Sequence, residues 1–452
     1  MTTNDKKEKT YENSRSATSF YVLFALQFML IVGGMFINIK TGVMTTLLVL
    51  LMTPIILSRC SSLKFDLSRG RNVMLGLFVF IGVFYIFEIG NPNSVQEAWN
   101  ISITHYVIFP IALAILVPVT IRDRKGIEWL LFIWSIFILI AAIKGYWQKN
   151  HGFNQQELYF LYTLGGYRTH IIWSGIRYFS FFSDAANYGI HSAMGLTVFA
   201  ISALFVRSKW MKIYFAFIAV AAAYSVGISG TRSAIAIPLA GLVMYVLISK
   251  NIKNIILSII VLGAVFCFFN FTNIGEGNQY IRKMRSAFHP TEDASYLLRV
   301  ENRKKMKELM ADRPFGYGVG LSKGARFEPK ELMPYPPDSW LVSVWVETGI
   351  VGLILYLAVH GTLFACCAWI LLFKIKSKRL RGLLAAWLCM NAGFFVAAYA
   401  NDVMQYPNSI VVYTGFALCF AAPYIDKVML KEEKQRKEKK EKKKNDSSDK
   451  HE

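Results

Sequence analysis

Charged residues are scarce in this sequence. Only 17% of its 452 residues are Asp, Glu, Lys or Arg, 54% are hydrophobic, and the mean hydropathy is +0.38. A soluble protein of this length needs more polar residues to cover its surface. The composition therefore excludes an ordinary soluble multidomain protein and predicts a polytopic membrane protein.

Metal-ligand and disulfide patterns are also missing. No cysteine has CxxC spacing or a histidine at ligand spacing, and the six cysteines fall inside or at the ends of apolar runs: Cys60, Cys267, Cys366, Cys367, Cys389 and Cys419. We therefore expect neither a structural zinc nor a disulfide framework. Because no Gly/Ser or Pro linker and no repeat divides the chain, one helical domain is the simplest interpretation.

Positive charge exceeds negative charge by 21, from 50 Lys and Arg residues against 29 Asp and Glu residues. Much of the excess lies in the C-terminal tail, residues 427–452, and in short connections, so nucleic-acid binding is not expected. The polar composition of this tail predicts disorder. Its simplest role is to lie near anionic lipid, and a specific partner site is the alternative.

Apolar runs that are long enough to cross a bilayer, about 20 residues each, occupy most of residues 20–426. We count about twelve, near 20–38, 41–58, 72–90, 101–121, 128–147, 186–206, 211–228, 234–248, 252–271, 345–373, 382–400 and 409–425. Residues 1–19 are polar and no cleavage site follows the first run, so that run is expected to be a span and not a removable signal. The predicted fold class is an all-α membrane domain with a long extracytoplasmic loop that carries short helices.

Basic residues predict the orientation of the spans. Cytoplasmic connections carry an excess of Lys and Arg, and every second connection does so here: Arg59, Lys64, Arg69, Arg71, Arg122, Arg124, Lys125, Arg207, Lys209, Lys212, Lys250, Lys253, Lys374, Lys376, Lys378, Arg379 and Arg381. Both termini are then cytoplasmic, and residues 148–185, 229–233 and 272–339 lie outside. No ATP is present outside the cytoplasm, so a reaction there must use a substrate that is already activated. This topology fits an enzyme or a transporter.

Arg232 stands in the short outside turn 229–233 between two apolar runs. A charge at the centre of a membrane helix costs about 2.5–3.5 kcal/mol on insertion scales, and less near the interface. The side chain either snorkels to water or binds an anion such as phosphate through its fork of donors. We favour the anion site.

The first outside segment ends in a cation, aromatic rings and polar side chains just before a span: Arg177, Tyr178, Phe179, Phe181, Phe182, Asp184 and Asn187. This mixture suits a pocket for sugar rings and phosphate. For Asp184 alone, a helix N-cap is the favoured interpretation. Arg168 and His170, earlier in the same loop, are expected to be solvated.

The second outside segment predicts an amphipathic helix over residues 294–312, where Leu298, Met306 and other apolar residues alternate with charges. The glycines of the following RPFGYGVGL predict a tight, close-packed turn, because no strand precedes them as in a nucleotide-binding fingerprint. Asp338 stands a few residues before Glu347, Gly349 and the apolar span that follows them, and is expected at the outer edge of the membrane.

Together these segments resemble the O-antigen ligase and polymerase family of bacterial membrane glycosyltransferases. The resemblance rests on the turn SGTRSA, the element RPFGYGVG after a charged helix, and the stretch PPDSWLVSVWVETGIVGLILYL. Members of the family have a Ser/Thr-x-Arg turn, a Pro-x-x-Gly-x-Gly loop motif, and a His-Asn-x-x-Leu stretch that leads to Glu-x-Gly-x-x-Gly. The resemblance is strong over about 175–360, and outside it only the span count agrees.

The resemblance implies roles for individual residues. Arg232 matches the turn arginine, and Arg177 and Arg299 resemble arginines ahead of the first loop motif and at the start of the loop helix. Glu347 belongs to the Glu-x-Gly-x-x-Gly match, with Gly349 and Gly352. We assign catalysis to Asp338 and Arg232 and substrate binding to Arg177, Arg299, Asp184, Asn187 and Glu347.

One position departs from the family. The ligases place a histidine, their proposed catalytic base, where this sequence has Asp338. Asp338 either takes over as the base, which requires burial to raise its pKa, or only caps the helix that begins near Trp340. His289 is a further candidate base, although a solvated loop histidine is the simpler interpretation.

The family also implies a reaction. An acceptor sugar hydroxyl would attack the anomeric carbon of an oligosaccharide carried on a polyprenyl diphosphate, typically undecaprenyl diphosphate, in the bacterial inner membrane. Arginines would stabilise the departing diphosphate, so no metal or cofactor is required. The expected partners are this lipid-linked oligosaccharide, membrane lipid and, as a further candidate, a chain-length regulator.

Two acceptors are compatible with this reaction, and a transporter is the alternative from a different class of protein. Transfer to another lipid-linked repeat makes the protein a polymerase, which the absent histidine favours, whereas transfer to lipid A core makes it an O-antigen ligase. A polysaccharide flippase should concentrate charge in a central cavity. The clear charges near span interiors, Lys144 and Glu88, are expected close to the outer ends, which disfavours transport.

Overall fold

The computed structural model describes residues 18–34, 41–172, 175–288, 294–322 and 327–448. These residues form helices and a two-stranded antiparallel sheet, in which β1 (Ile171–Ile172) pairs with β2 (Gly175–Ile176). The helices are α1 (Thr18–Gly34), α2 (Thr41–Ser62), α3 (Val73–Phe87), α4 (Gln96–Ile103), α5 (Phe109–Thr120), α6 (Arg124–His151), α7 (Gln155–Leu158), α8 (Tyr167–His170), α9 (Ala185–Phe205), α10 (Lys209–Ser229), α11 (Ala236–Ile248), α12 (Ile252–Phe271), α13 (Gln279–Arg285), α14 (Ala294–Leu309), α15 (Trp340–Trp369), α16 (Lys378–Ala398) and α17 (Asn408–Ser448).

Most of the long helices are candidate membrane spans. In the described part of the chain, ten helices have the length and hydropathy to cross a membrane: α2, α3, α4 continuing into α5, α6, α9, α10, α12, α15, α16 and α17. The two other predicted spans coincide with the shorter apolar helices α1 and α11, the latter extended by the turn before it. The helical membrane fold is therefore confirmed, and the number of twelve spans stays a prediction.

The core lies where the central helices pack together. α16 packs against α9 and α11, and α17 packs against α5. Trp134 of α6 stacks on Trp387 of α16 with ring centroids 5.3 Å apart. By contrast, α2 and α12 expose most of their apolar side chains at the periphery, as helices that face lipid do. The central helices form the buried core of the bundle, and their ends position the candidate site.

α14 confirms the amphipathic helix that was predicted within residues 294–312. Its residue Met306 and the adjacent Met310 are buried against Tyr317, Val342 and Val346. The apolar face of the helix therefore docks on the beginning of α15, and the charged face remains available for polar contacts.

The C-terminal tail differs from the expectation. α17 continues to Ser448, whereas the composition predicts disorder over residues 427–452. Lys and Glu are favourable helix formers, and a helix that is already nucleated by packed apolar residues extends without forming a new nucleus. Residues 449–452, and all of the predicted N-terminal tail except Thr18 and Ser19, lie outside the described residues.

α15 is interrupted at Gly349, which has φ of +64° inside the helix. The loop segment Pro314–Gly318 docks at this interruption through three backbone hydrogen bonds of 2.8–3.2 Å: Tyr317 N to Val346 O, Gly318 N to Glu347 O, and Val351 N to Pro314 O. An interrupted helix frees backbone groups that need partners inside an apolar bundle, and the loop supplies them. The close-packed turn predicted from RPFGYGVGL is confirmed.

Replacing Gly349 with alanine is expected to destabilise the fold by roughly 2–4 kcal/mol, because alanine disfavours the left-handed conformation and its Cβ collides with the loop. That Cβ would lie 2.0 Å from the carbonyl oxygen of Pro314. The midpoint of thermal unfolding in detergent measures the effect. Gly361→Ala, in the same helix, is the control, because an added Cβ there meets no atom within 4 Å. Equal midpoints for the two variants would contradict the docking role of Gly349.

Candidate anion-binding site

Arg232 lies at the turn that joins α10 to α11. α10 ends at Ser229, and Gly230 has φ of +59°, a conformation that glycine adopts without steric cost. Thr231 then leads into a single 3₁₀ turn, Arg232–Ile235, before α11 begins. The guanidinium of Arg232 donates from Nη1 to Oγ of Ser286 at 3.3 Å. This turn, residues 229–233, lies at one end of the helical bundle, and we call that end the site end.

Arg177 is fixed beside the same turn. Its Nε donates to the carbonyl oxygen of Ser229 at 3.3 Å, and its Nη2 donates to Oγ1 of Thr231 at 3.1 Å. A third donor, Nη1, reaches the carbonyl oxygen of Thr169 at 3.2 Å. The guanidinium therefore joins the first predicted outside loop to the end of α10. Burial lowers the pKa of Arg177, while the nearby carboxylate of Asp184 opposes that shift.

Arg299 reaches the site end from α14. Its Nη1 donates to the carbonyl oxygen of Ala400 at 2.9 Å, and Nη2 of Arg303 donates to the carbonyl oxygen of Tyr399 at 3.0 Å. Both carbonyls directly follow the end of α16, where the last carbonyl groups of a helix lack partners within it and attract cations. These contacts hold the loop helix onto the bundle.

Asp338 lies next to Arg299 at the start of α15. Desolvation by its surroundings raises the pKa of the Asp338 carboxyl, the charge of Arg299 opposes this, and the carboxylate of Asp402 adds to it. Asp338 has φ of +46°, in the left-handed region that Asp and Asn tolerate better than most residues. The N-cap of α15 is Ser339, whose side chain accepts from Val342 N. The alternative in which Asp338 caps this helix is therefore wrong.

Four cations converge at the site end and are here called the cationic cluster: Arg177, Arg232, Lys283 and Arg299. Burial lowers the pKa of Lys283 to about 7, and the positive charges of Arg177 and Arg232 act in the same direction. Arg232 and Arg299 in turn lower the pKa of Arg177. Because like charges in a partly desolvated site repel, an anion with two or more charges would be bound favourably here. In the described part of the chain, no three His, Cys, Asp or Glu side chains are grouped to hold a metal ion.

Asp184 is the N-cap of α9, as the sequence predicts. Its Oδ1 accepts from Asn187 N at 2.8 Å, and its charge also acts on Arg177. Asn187, by contrast, is buried and makes contacts within the protein: Nδ2 donates to Oδ2 of Asp184 at 2.6 Å, and Oδ1 accepts from Nδ2 of Asn408 at 3.2 Å. Asp184 therefore borders the cationic cluster, whereas Asn187 ties α9 to α17.

Glu347 lies deeper in α15 and is buried. Its carboxylate accepts from the hydroxyl of Tyr106 at 2.9 Å and from Oγ of Ser322 at 2.5 Å. Its backbone carbonyl accepts from Gly318 N in the docked loop. The structure thus gives Glu347 a role in holding the loop segment onto α15, and it does not bring this residue into the cationic cluster.

Two residues of the site end were missed or misjudged from the sequence. Lys283 lies in the charged stretch QYIRKMR of α13, and no feature of that stretch distinguishes it from the neighbouring cations. His170 was expected to be solvated but is buried: Nε2 accepts from Ala185 N at 3.1 Å, and Nδ1 lies 2.9 Å from the carbonyl oxygen of Gly166. It supports the first turn of α9. His289, the other candidate base, lies outside the described residues.

Comparison with known proteins bears on the segment that carries most of the cluster. A search of curated protein sequences finds no match to the chain. Residues 217–357 match the family model described as O-Antigen ligase. This range contains Arg232, Lys283, Arg299 and Asp338, and it leaves out Arg177. The resemblance of this chain to the O-antigen ligase and polymerase family, predicted from its motifs, is thereby confirmed over residues 217–357.

Proposed function

We propose that the protein transfers an oligosaccharide from a polyprenyl diphosphate carrier to an acceptor sugar hydroxyl at the site end of the bundle. The cationic cluster, most of which lies in the segment that matches O-Antigen ligase, carries this proposal. A diphosphate matches the cluster in charge, and two phosphates offer enough oxygens for several guanidinium donors.

In the proposed reaction, the acceptor oxygen bonds to the anomeric carbon of the donor sugar while the bond from that carbon to the diphosphate oxygen breaks. Negative charge grows on the leaving diphosphate. Cations that are already fixed where this charge develops lower the barrier without reorganising. Arg177 and Arg299 support this role because hydrogen bonds to backbone carbonyls hold both guanidinium groups in place.

Asp338 is proposed to accept the proton of the acceptor hydroxyl. An ordinary aspartate is a weak base, and the raised pKa of Asp338 makes it a better one. Its position beside Arg299 supports this role, because the charge of Arg299 favours the ionised carboxylate, which is the form that accepts a proton.

A transporter is less compatible with the charges inside the bundle. Lys144, on α6, forms an ion pair of 2.7 Å with the buried carboxylate of Glu157, so its charge is compensated locally. Glu88 lies at the end of α3 and accepts from Nδ2 of Asn91 at 3.5 Å. Neither residue supports a charged central cavity of the kind a flippase requires.

We propose that the protein lies in the bacterial inner membrane with the site end outside. The distribution of basic residues among the connections supports this orientation. In a variant with the native cysteines replaced by alanine, a membrane-impermeant maleimide is expected to label Thr163→Cys and Lys330→Cys in intact cells and to spare Lys209→Cys. All three positions are exposed, so reactivity reports the side of the membrane. Labelling of Lys209→Cys alone would reverse the proposed orientation.

We favour a polymerase over an O-antigen ligase because Asp338 replaces the histidine of the ligases. Deletion of the gene is expected to collapse the ladder of surface polysaccharide on a gel to a single repeat. Loss of every repeat from lipid A core, with accumulation of lipid-linked chains, would instead identify a ligase. An unchanged polysaccharide would contradict both activities.

Complementation of the deletion tests Arg232. Arg232→Lys keeps the charge but loses the bidentate fork, so the rate of chain growth is expected to fall at least about tenfold, and Arg232→Ala should reduce it roughly 10²-fold. Arg168→Lys, at an exposed position of the loop, is the matched control and should grow normal chains. Wild-type chains from Arg232→Ala at normal protein abundance would reduce Arg232 to a snorkelling residue.

Substitution of Asp338 tests the base. Asp338→Asn should fold normally, because asparagine tolerates a positive φ, and should lose transfer. Wild-type kcat/KM should fall as the pH drops through the raised pKa of Asp338, since the protonated carboxyl cannot accept a proton. Asp338→His should retain activity, and its kcat/KM should fall as the pH drops below about 6.5. Full activity of Asp338→Asn would contradict the assignment.

A further inference from the structure

Lys283 has no assigned role, yet it lies in the cationic cluster beside Arg177 and Arg232. Its Nζ lies 3.2 Å from the point where a Cβ on Gly230 would stand, and Cγ of Arg177 lies 3.4 Å from the same point. Glycine at position 230 therefore leaves the room in which the amine and the arginine approach each other. Among the described residues, no carboxylate pairs with this amine and no acceptor bonds to it.

The charged groups that act on Lys283 are positive. Arg177 reaches it from the segment after β2, and Arg232 reaches it from the turn before α11. The remaining titratable side chains on α13 and on the elements beside it are not among the groups that act on Lys283: Lys149, Tyr178, Tyr224, Cys267, Glu276, Tyr280, Arg282 and Arg285. The acid among them, Glu276, pairs with Arg285 at 3.6 Å.

We propose that Lys283 is a further ligand of the diphosphate and that it takes up a proton from solvent when the anion binds. This inference rests on the proposed function, which supplies the anion. The three arginines of the cluster stay charged, which leaves the amine of Lys283 as the group of the cluster that can lose its charge. When the site is empty, a neutral Lys283 avoids repulsion by the neighbouring arginines. When a dianion is bound, its negative charge favours the protonated amine.

The direction of the pH dependence follows. In the free protein, burial and the two arginines hold the pKa of Lys283 near 7, and a bound anion raises it because it favours the charged amine. Below about pH 7 the amine is already protonated, so binding takes up little. Above it, binding takes up a proton, and the affinity falls as the pH rises, about tenfold between about pH 6 and pH 8.

Calorimetry on the full chain in lipid nanodiscs tests this inference. The probe is a dibutyl diphosphate diester with one butyl group on each phosphate, which has no titrating proton near neutral pH. Titrations at pH 8 in two buffers with different ionisation enthalpies give the number of protons taken up. The wild type is expected to take up about 0.9 proton per anion. Lys283→Met should take up none and bind with a pH-independent, weaker affinity.

Two further variants separate the role of the amine from its effect on folding. Lys283→Arg should bind the probe at both pH values without proton uptake, because the guanidinium stays charged. Lys307→Met, at an exposed position of α14, should behave as the wild type. Equal proton uptake by Lys283→Met and the wild type would overturn the inference. Absence of probe binding to the wild type would instead overturn the proposed diphosphate site.

Discussion

The site end depends on arginines that bind the carbonyl groups at the ends of spanning helices. The last carbonyls of a helix have no partners within it and carry partial negative charge. Arg177 binds the carbonyl of Ser229 at the end of α10, and Arg299 binds that of Ala400 just beyond α16. The same contacts fasten loops to the bundle and gather positive charge at one place. Folding and the proposed anion binding therefore rest on one type of interaction.

Two kinds of motif residue serve the site, and they act differently. The glycines of the loop and Gly349 of α15 bring backbone into hydrogen-bonding contact, with Glu347 beside them. They set where α14 and the start of α15 lie. Arg299 and Asp338 then receive their positions from those elements, whereas the turn between α10 and α11 positions Arg232. This division of roles explains why the Glu-x-Gly-x-x-Gly stretch occurs together with the charged motifs. Glu347 holds the loop in place, although it does not belong to the cationic cluster.

The sequence was sufficient for features that depend on local pattern. Hydropathy located the ten helices that are candidate spans in the described residues, the amphipathic pattern located α14, and the residue order around Asp184 indicated its N-cap. It was insufficient for features that depend on tertiary contact. Neither the burial of His170 nor the position of Lys283 beside Gly230 follows from neighbouring residues. Ser339 rather than Asp338 caps α15 because Asp338 adopts a positive φ, which sequence spacing does not reveal.

The cationic cluster also spans three parts of the molecule. Arg177 belongs to the first predicted outside loop, and Arg232 belongs to the turn between α10 and α11. Lys283 and Arg299 belong to the short helices of the second outside loop. Repulsion among them weakens the docking of the loop, and the contacts of Arg299 and Arg303 with the end of α16 counteract it. A diphosphate bound between these cations would convert that repulsion into attraction. The substrate would then tighten the same loop that carries Asp338, so binding of the donor and assembly of the catalytic site would be one event.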